Sequence, residues 1–263
     1  MSDFIAVIPA RYASSRLPGK PLLDIGGEPM VVKVWRQAKQ SRASRVVVAT
    51  DDERIHDVIA EAGGEVLMTR ADHLTGTDRL SEVAESLALT EEAILVNVQG
   101  DEPLLPPVLI DQVAECLAED PDASIATLAE PIMDAEALFS PHVVKVVRDL
   151  SGRALYFSRA PVPWHREEWG DGPLTGHSGP LAQDVWLRHI GLYAYRAGFL
   201  AAYRGWSPAP LERLEQLEQL RALQQGHRIQ VGLACQAHPA GVDTPEDLVR
   251  VRALFSADHD GER

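Results

Sequence analysis

Short apolar runs rich in β-branched residues alternate with stretches of helical periodicity through the first half of the chain, and this rhythm constrains the fold more than any other feature. The runs are Ile5-Ala6-Val7-Ile8, Arg45 to Ala49, Glu65 to Met68 and Ala93 to Val98. Between and after them, helical spacing covers Met30 to Gln40, the stretch from Asp52 to about Ala62, Gly76 to Leu87, and Val108 to Glu119. Runs that are apolar throughout, rather than at every second residue, belong to strands covered on both faces. A helix between such strands carries the chain back to a parallel neighbour. The expectation is an α/β fold with a largely parallel central sheet and helices on both faces.

The second half changes character. Ala123 to Leu128, Val143 to Arg148, Ala154 to Ser158 and His189 to Tyr195 read as strands with fewer helices between them. His165 to Asp184 is rich in Gly, Pro and polar residues and reads as an irregular loop. Leu211, Leu214, Leu217, Leu220 and Leu223 suggest one long amphipathic helix from Pro210 to Gly226. At Asp243-Thr244-Pro245-Glu246-Asp247, Thr244 suits an N-cap, Pro245 the first helical position, and Asp247 the reciprocal capping position. No repeat or low-complexity linker separates the halves. The expectation is a single α/β domain over 1–263, with a smaller mixed-sheet elaboration around 124–206.

Composition narrows the function classes. The 263 residues carry a formal net charge of −14, which argues against a nucleic-acid binder. No apolar run is long enough to cross a bilayer, and the N-terminus lacks the basic segment of a secretory signal. The two cysteines, Cys116 and Cys235, do not make a disulfide framework, and Cys235 with His238 is too few ligands for a structural metal. These features favour the cytoplasm. Against the acidic background, Arg11, Arg16 and Lys20 face only Asp3 in the first twenty residues. That local excess suits a small anion, and a solvated basic loop is the alternative.

The basic loop follows the first strand, and in an open parallel sheet ligands sit beyond the carboxyl ends of strands. Arg11 and Arg16 can fork onto phosphate oxygens, and Lys20 can supply a point charge. Pro21 after Gly19-Lys20 and the missing earlier glycine exclude a Walker loop, and no dinucleotide-binding glycine pattern occurs. Asn97-Val98-Gln99-Gly100-Asp101-Glu102-Pro103 closes another strand. A carboxylate there can hold Mg²⁺ against a nucleotide phosphate, with Asp243 as a second from far along the chain. Taken singly, Asp101 also suits a turn and Asp243 a helix start.

The segments IPARYASSRLPGKPL, VATDDERI, MTRADHLTGTDRL, VNVQGDEP, VVKVV, ALYFSRAPVPW, RHIGLYAYRAGFL, PLERLEQLEQLR and GVDTPEDLVRVR occur in that order. Through them the chain resembles the 3-deoxy-manno-octulosonate (Kdo) cytidylyltransferases from near residue 4 to about residue 255. The resemblance implies a Rossmann-like nucleotide-sugar transferase fold, CTP and Kdo as substrates, Mg²⁺ as cofactor, CMP-Kdo and pyrophosphate as products, a role in lipopolysaccharide biosynthesis, and a homodimer. It places phosphate binding on Arg11, Arg16 and Lys20, and magnesium on Asp101 and Asp243. It places the cytosine-proximal segment on Ala10, Arg70, Gly76 and Thr77. Sugar recognition falls on Arg79, Gln99, Arg159, His189, Tyr193, Glu212 and Glu215. Arg16, Lys20, Asp101 and Asp243 would carry the catalysis.

The residue types suit that chemistry, which is mainly positioning and charge stabilisation. A carboxylate-bearing sugar gives Arg79 or Arg159 an anion to hold. Glu212 and Glu215 are one turn apart on a helix and share a face, which spacing alone also allows to be solvated. His189 lies within an apolar strand, where a histidine satisfied in the core is the other reading. The stretch from His165 to Asp184, with His177 between Gly176 and Ser178, is longer than the family leads one to expect. It suits a surface insertion, and a lid or a variant sugar is the alternative. Competing functions are cytidylyl transfer to 8-amino-Kdo or sialic acid, and a catalytically silent nucleotide-binding protein.

Overall fold

The computed structural model describes residues 3–13, 17–73, 75–169 and 185–260. Its first strand, β1 (Phe4–Ala10), is almost wholly buried and runs down the middle of the sheet. A short turn of 3-10 helix, Lys20–Leu22, and a small hairpin, β2 (Asp24–Ile25) with β3 (Glu28–Pro29), lead into α1 (Met30–Ala38). β4 (Arg45–Thr50), α2 (Glu53–Glu61), β5 (Glu65–Met68), α3 (Gly76–Ser86), β6 (Ile94–Asn97) and α4 (Pro107–Glu119) follow. β1 pairs in parallel with both β4 and β6, and β4 in parallel with β5. The chain therefore builds outward from β1 in two directions. Such a reversal opens a crevice at the carboxyl ends of the central strands.

Side-chain alternation along β1 feeds two cores. Phe4, Ala6 and Ile8 pack on one face with Met30, Val34, Ile55, Ile59, Leu109 and Val113 of α1, α2 and α4. Ile5 and Val7 pack on the other with Leu80 and Val83 of α3. That is the period of two a strand imposes, and it explains why β1 is apolar throughout.

The second half mixes directions. β7 (Ile125–Pro131), α5 (Ala135–Phe139), β8 (Lys145–Arg148), β9 (Ala154–Ser158) and α6 (Arg166–Trp169) lead to the long β10 (Leu187–Arg196). β10 runs antiparallel between β6 and β7, and its amino end carries the β8–β9 hairpin. Its register slips between Ile190 and Tyr193, where the buried Thr127 hydroxyl lies 3.0 and 2.8 Å from the carbonyls of Ile190 and Leu192. Bulges of this kind re-aim side chains beside ligand sites. α7 (Ala197–Tyr203), α8 (Pro210–Glu215), α9 (Gln219–Gln224), β11 (Ile229–Leu233) and α10 (Pro245–Asp260) complete the chain. β11 adds to β7 in parallel.

One expectation is corrected. The leucine-rich stretch from Pro210 to Gly226 is two short helices, broken at Gln216 with φ 54°. A spacing of three falls short of the 3.6-residue turn, so the leucine stripe would wander around a straight helix. Leu214 is accordingly 81% exposed. Tertiary anchors fix the break. The Glu215 carbonyl accepts from Arg159 Nε at 2.7 Å, and its carboxylate accepts from Ser158 Oγ at 2.7 Å.

Candidate active site

The phosphate-loop residues that the structure describes lie at the carboxyl end of β1. Gly19 has φ +67°, and a side chain there would stand 3.1 Å from the Tyr12 ring, so only glycine closes this turn. The Gly19 N–H donates to the Tyr12 carbonyl at 3.2 Å, and Arg54 stacks 3.4 Å over the same ring. Lys20 leaves this pinned turn at the start of the 3-10 helix. Asp101 leaves the turn after β6, where a Cβ on Gly100 would come within 2.9 Å of the Pro9 carbonyl. Glycine thus lets that turn close directly onto β1.

Asp243 arrives from the far end of the chain. The Val242 N–H donates to the Asp101 carbonyl at 2.9 Å, tying the two loops backbone to backbone. The Asp247 carboxylate accepts from the N–H groups of Asp243 and Thr244 at 3.1 and 3.0 Å, and its own N–H donates to Thr244 Oγ1 at 3.2 Å. This is the reciprocal cap read from the sequence. Burial would raise the Asp247 pKa, but these donors and Arg250 outweigh it and hold it at about 2. A second close approach, without hydrogen-bond geometry, links the same two segments. His238 Nε2 sits 3.2 Å from Glu102 Oε2, and both side chains are nearly buried. The result is a meeting of three residues separated widely in sequence. Lys20 Nζ lies 2.6 Å from Asp101 Oδ2 and 3.0 Å from Asp243 Oδ1.

The two carboxylates suit a hard divalent cation. They converge on one point and remain 34% and 51% exposed, so their outer faces are open to substrate oxygens. Mg²⁺ is commonly held by one or two carboxylates, with water and phosphate oxygens completing its shell. Among the described residues no cluster of three or more His, Cys, Asp or Glu offers a protein-only cage. The donor set therefore fits an ion shared with a phosphate ligand.

Ala10 ends β1 buried, and Arg11 Nη2 donates to the Thr75 carbonyl at 3.0 Å. Burial and the neighbouring Arg79 guanidinium lower the Arg11 pKa, opposed by Asp51, Asp78 and Glu218. Thr75 and Asp78 cap α3 reciprocally, fixing Gly76 and Thr77 at its first turn. Arg70 is exposed and pairs with Asp72. Arg16 lies outside the described residues, as do 170–184 of the long loop with His177.

Gln99, two residues before Asp101, lines a cavity of about 270 Å³. Gly76, Thr77, Gln99 and Tyr193, all singled out in the sequence, line it. Gln99 Nε2 donates to the Gly191 carbonyl at 3.2 Å across the bulge of β10. Asn97, Tyr195, Gln216, Leu217, Glu218 and Gln219 complete the wall, and sequence reasoning missed them. Thr77 Oγ1 donates to Glu218 Oε2 at 3.0 Å. Glu218 as a residue is solvent-accessible, but its carboxylate is sunk among Thr77, Asp78 and the cavity wall. That burial raises its pKa. Four of the missed residues sit on the α8–α9 break, which the leucine pattern conceals; Asn97 and Tyr195, each two residues from a recognised position, Gln99 and Tyr193, were the readable signals.

Other expected sugar contacts occupy supporting positions. Arg79 is fully buried, with Nη2 donating to Asp51 at 2.9 Å and Nη1 to Thr69. Glu212 forms a buried pair with Arg221 and accepts from the Ala209 N–H at 2.9 Å. Glu215 accepts from the Arg159 N–H at 2.9 Å, while the Arg159 guanidinium donates to the carbonyls of Glu215 and Pro141. His189 Nε2 lies 3.0 Å from Thr127 Oγ1, with its ring edge-on to Phe157 and tilted against Tyr193. The Thr127 hydroxyl proton is directed at backbone carbonyls, so the imidazole Nε2–H donates. Burial pushes the His189 pKa down to about 3 and the Tyr193 phenol well up, so both are neutral near pH 7. In this arrangement His189 and Glu212 are satisfied by protein, and they support the wall that bears Tyr193 and Glu218.

Comparison with known proteins agrees with this geometry. A family model described as cytidylyltransferase matches residues 5–229. The 3-deoxy-manno-octulosonate cytidylyltransferase of Chromohalobacter salexigens is 66% identical over 256 residues, covering 97% of this chain and 98% of its own. The enzyme of that name from Pseudomonas syringae pv. tomato is 59% identical over 255 residues, covering 97% and 98%. The solved structure of a CMP:2-keto-3-deoxy-manno-octonic acid synthetase complexed with CTP superposes with a TM-score of 0.85 at 41% identity, covering 98% of this chain and all of that one. A 4-diphosphocytidyl-2C-methyl-D-erythritol synthase shares the fold, with a TM-score of 0.61 at 16% identity over 96% of this chain and 98% of its own. By these matches over nearly its whole length, the chain belongs to the 3-deoxy-manno-octulosonate cytidylyltransferase family of nucleotidyltransferases.

Proposed function

We propose that this chain transfers CMP from CTP to Kdo, releasing pyrophosphate and supplying CMP-Kdo for lipopolysaccharide synthesis. The observation that carries the reading is the convergence of Asp101 and Asp243 on Lys20 at the carboxyl ends of β1 and β6. A sugar hydroxyl oxygen bonds to the α-phosphorus of CTP, the bond from that phosphorus to the bridging oxygen breaks, pyrophosphate leaves with that oxygen and its electron pair, and the hydroxyl proton passes to solvent.

Asp101 and Asp243 would hold Mg²⁺, which supplies charge neutralisation where two anions must meet. Lys20 and Arg11 add positive charge around the triphosphate, where pyrophosphate accumulates charge as it departs. The caps on α3 hold Gly76 and Thr77 at the entrance to the cavity. Gln99, Tyr193 and the Glu218 wall enclose the sugar, with Tyr193 offering a neutral phenol to its hydroxyls. Arg159 and Glu215 brace the segment beneath.

The reading places the enzyme in the cytoplasm, and no helix among the described residues is long and apolar enough to cross a membrane. We read 1–263 as one domain because β10 of the 124–206 elaboration lies inside the main sheet. We also read the protein as a homodimer, with the exposed Leu155, Met133 and Val185 near the β8–β9 hairpin as its apolar face.

Pyrophosphate release measured with each of the four nucleoside triphosphates, with and without Kdo, tests the function. CTP alone should give Kdo-dependent release, and turnover with Kdo should exceed that with 8-amino-Kdo or sialic acid. Absence of sugar-dependent release from CTP would overturn the reading.

A further inference from the structure

We propose that Lys20 is a positioning residue for the Asp101–Asp243 pair, and that its ammonium changes places with the divalent cation when nucleotide arrives. The inference rests on the reading of those two carboxylates as cation ligands. Its basis is the location of Nζ, 2.6 Å from one carboxylate oxygen and 3.0 Å from the other. Two carboxylates brought to one point repel, and a cation between them removes that cost. Lys20 supplies that cation from the protein side, with its side chain only 12% exposed against 34% and 51% for the two acids.

An ammonium and a metal ion cannot share the position. Mg²⁺ requires carboxylate oxygens at about 2.0–2.1 Å in near-octahedral array. The ammonium contacts one oxygen of each carboxylate, the place from which an ion bridging those two oxygens would have to displace it. The backbone on either side of Lys20 is immobilised by Gly19 against Tyr12 and by Pro21 in the 3-10 helix. Only the flexible four-carbon stem is left to move. A triphosphate in the adjoining loop offers the ammonium a new set of anionic partners. The preformed pair is then released to the metal without having to assemble. Cation and nucleotide binding are coupled as a result, each favouring the other.

Direct metal binding tests this, with Mn²⁺ as the probe and electron paramagnetic resonance as the readout, in the full chain. Without nucleotide, wild type should bind Mn²⁺ weakly. Lys20→Met should bind it at least about ten-fold more tightly, the scale of a charged hydrogen bond removed from the competitor. Lys20→Arg, which keeps a cation in place, should stay weak. An unchanged or weaker affinity in Lys20→Met, with its circular dichroism matching wild type, would overturn the exchange. Should Lys20→Met fail to fold, acetic anhydride labelling of wild type gives the second readout. Modification of Lys20, followed by mass spectrometry, should rise when Mn²⁺ alone is added, and no rise overturns the proposal.

Asp101→Asn in the CTP complex separates the two ideas. Wild-type Mn²⁺ affinity there would remove the metal assignment itself. Loss there, combined with an unchanged Lys20→Met, isolates the failure to the exchange.

Discussion

The two ends of the cleft are built by different means. At the phosphate end, charged side chains from three distant segments meet at the carboxyl ends of parallel strands, and backbone ties such as Val242 N–H to the Asp101 carbonyl set their places. At the end proposed for the sugar, an antiparallel bulge and a broken helix carve a cavity whose supporting charges, Glu212 with Arg221, are buried as a pair. The first end is electrostatic and solvent-facing, and in the proposed function its residues meet the substrate directly. The second depends on internal packing, so most of its charged residues act by holding others. Substitutions should therefore separate catalysis from stability according to the end they strike.

The sharpest contrast comes from the phosphate end. Asp101→Asn or Asp243→Asn should lower turnover about a hundred-fold or more, the scale of several kcal/mol that a bound cation contributes. Pyrophosphate release and circular dichroism together check it, since the melting temperature should barely move. Arg221→Met should do the reverse. It leaves Glu212 buried without its partner and should cost about 3 kcal/mol in urea unfolding, with Mn²⁺ affinity in the folded protein unchanged. A large loss of metal affinity in that variant would erase the proposed division between the ends.

A smaller effect should appear with pH. His189 titrates at about 3 in the folded protein against an ordinary 6.5, so the unfolded chain takes up the proton first as pH falls. The stability contributed by the neutral ring is complete above about pH 6.5 and is lost progressively toward pH 3. Between pH 7 and pH 5 wild type should lose about 1–2 kcal/mol that His189→Gln does not lose, measured by urea unfolding at each pH. An identical pH slope in the variant would place the ring outside the enclosed wall. The smallest effect should come from Gln216→Gly. Relief of the positive φ at the break should add about 0.5–1 kcal/mol in urea unfolding. A lower stability would mean that the Gln216 side chain, rather than its backbone, makes the break.

Legibility followed the same division. The strands β1, β4 and β6 were readable because their central residues are covered on both faces and so are apolar in succession, while β5 at the sheet edge was readable from its short apolar run Val66-Leu67-Met68. The Thr244–Asp247 cap was readable because its hydrogen bonds close within four residues. Asp101, Asp243 and Lys20 were readable as residue types, but their meeting point depends on long-range ties invisible in local spacing. The α8–α9 break was misread because leucines at every third position mimic a helical stripe, while the contacts that snap it come from Ser158 and Arg159. Glu218 and Gln219 were hidden with it. Arg79 and Glu212 were expected at the substrate, and only the structure reveals the buried partners that hold them.

The account turns on Asp101 and Asp243 working as one unit, and a double-mutant cycle on turnover measures that most directly. If they serve a single cation, Asp101→Asn and Asp243→Asn combined should be about as slow as the worse single variant, since a site already lost cannot be lost again. Losses that multiply across the pair would contradict it, because the two carboxylates would then be acting independently.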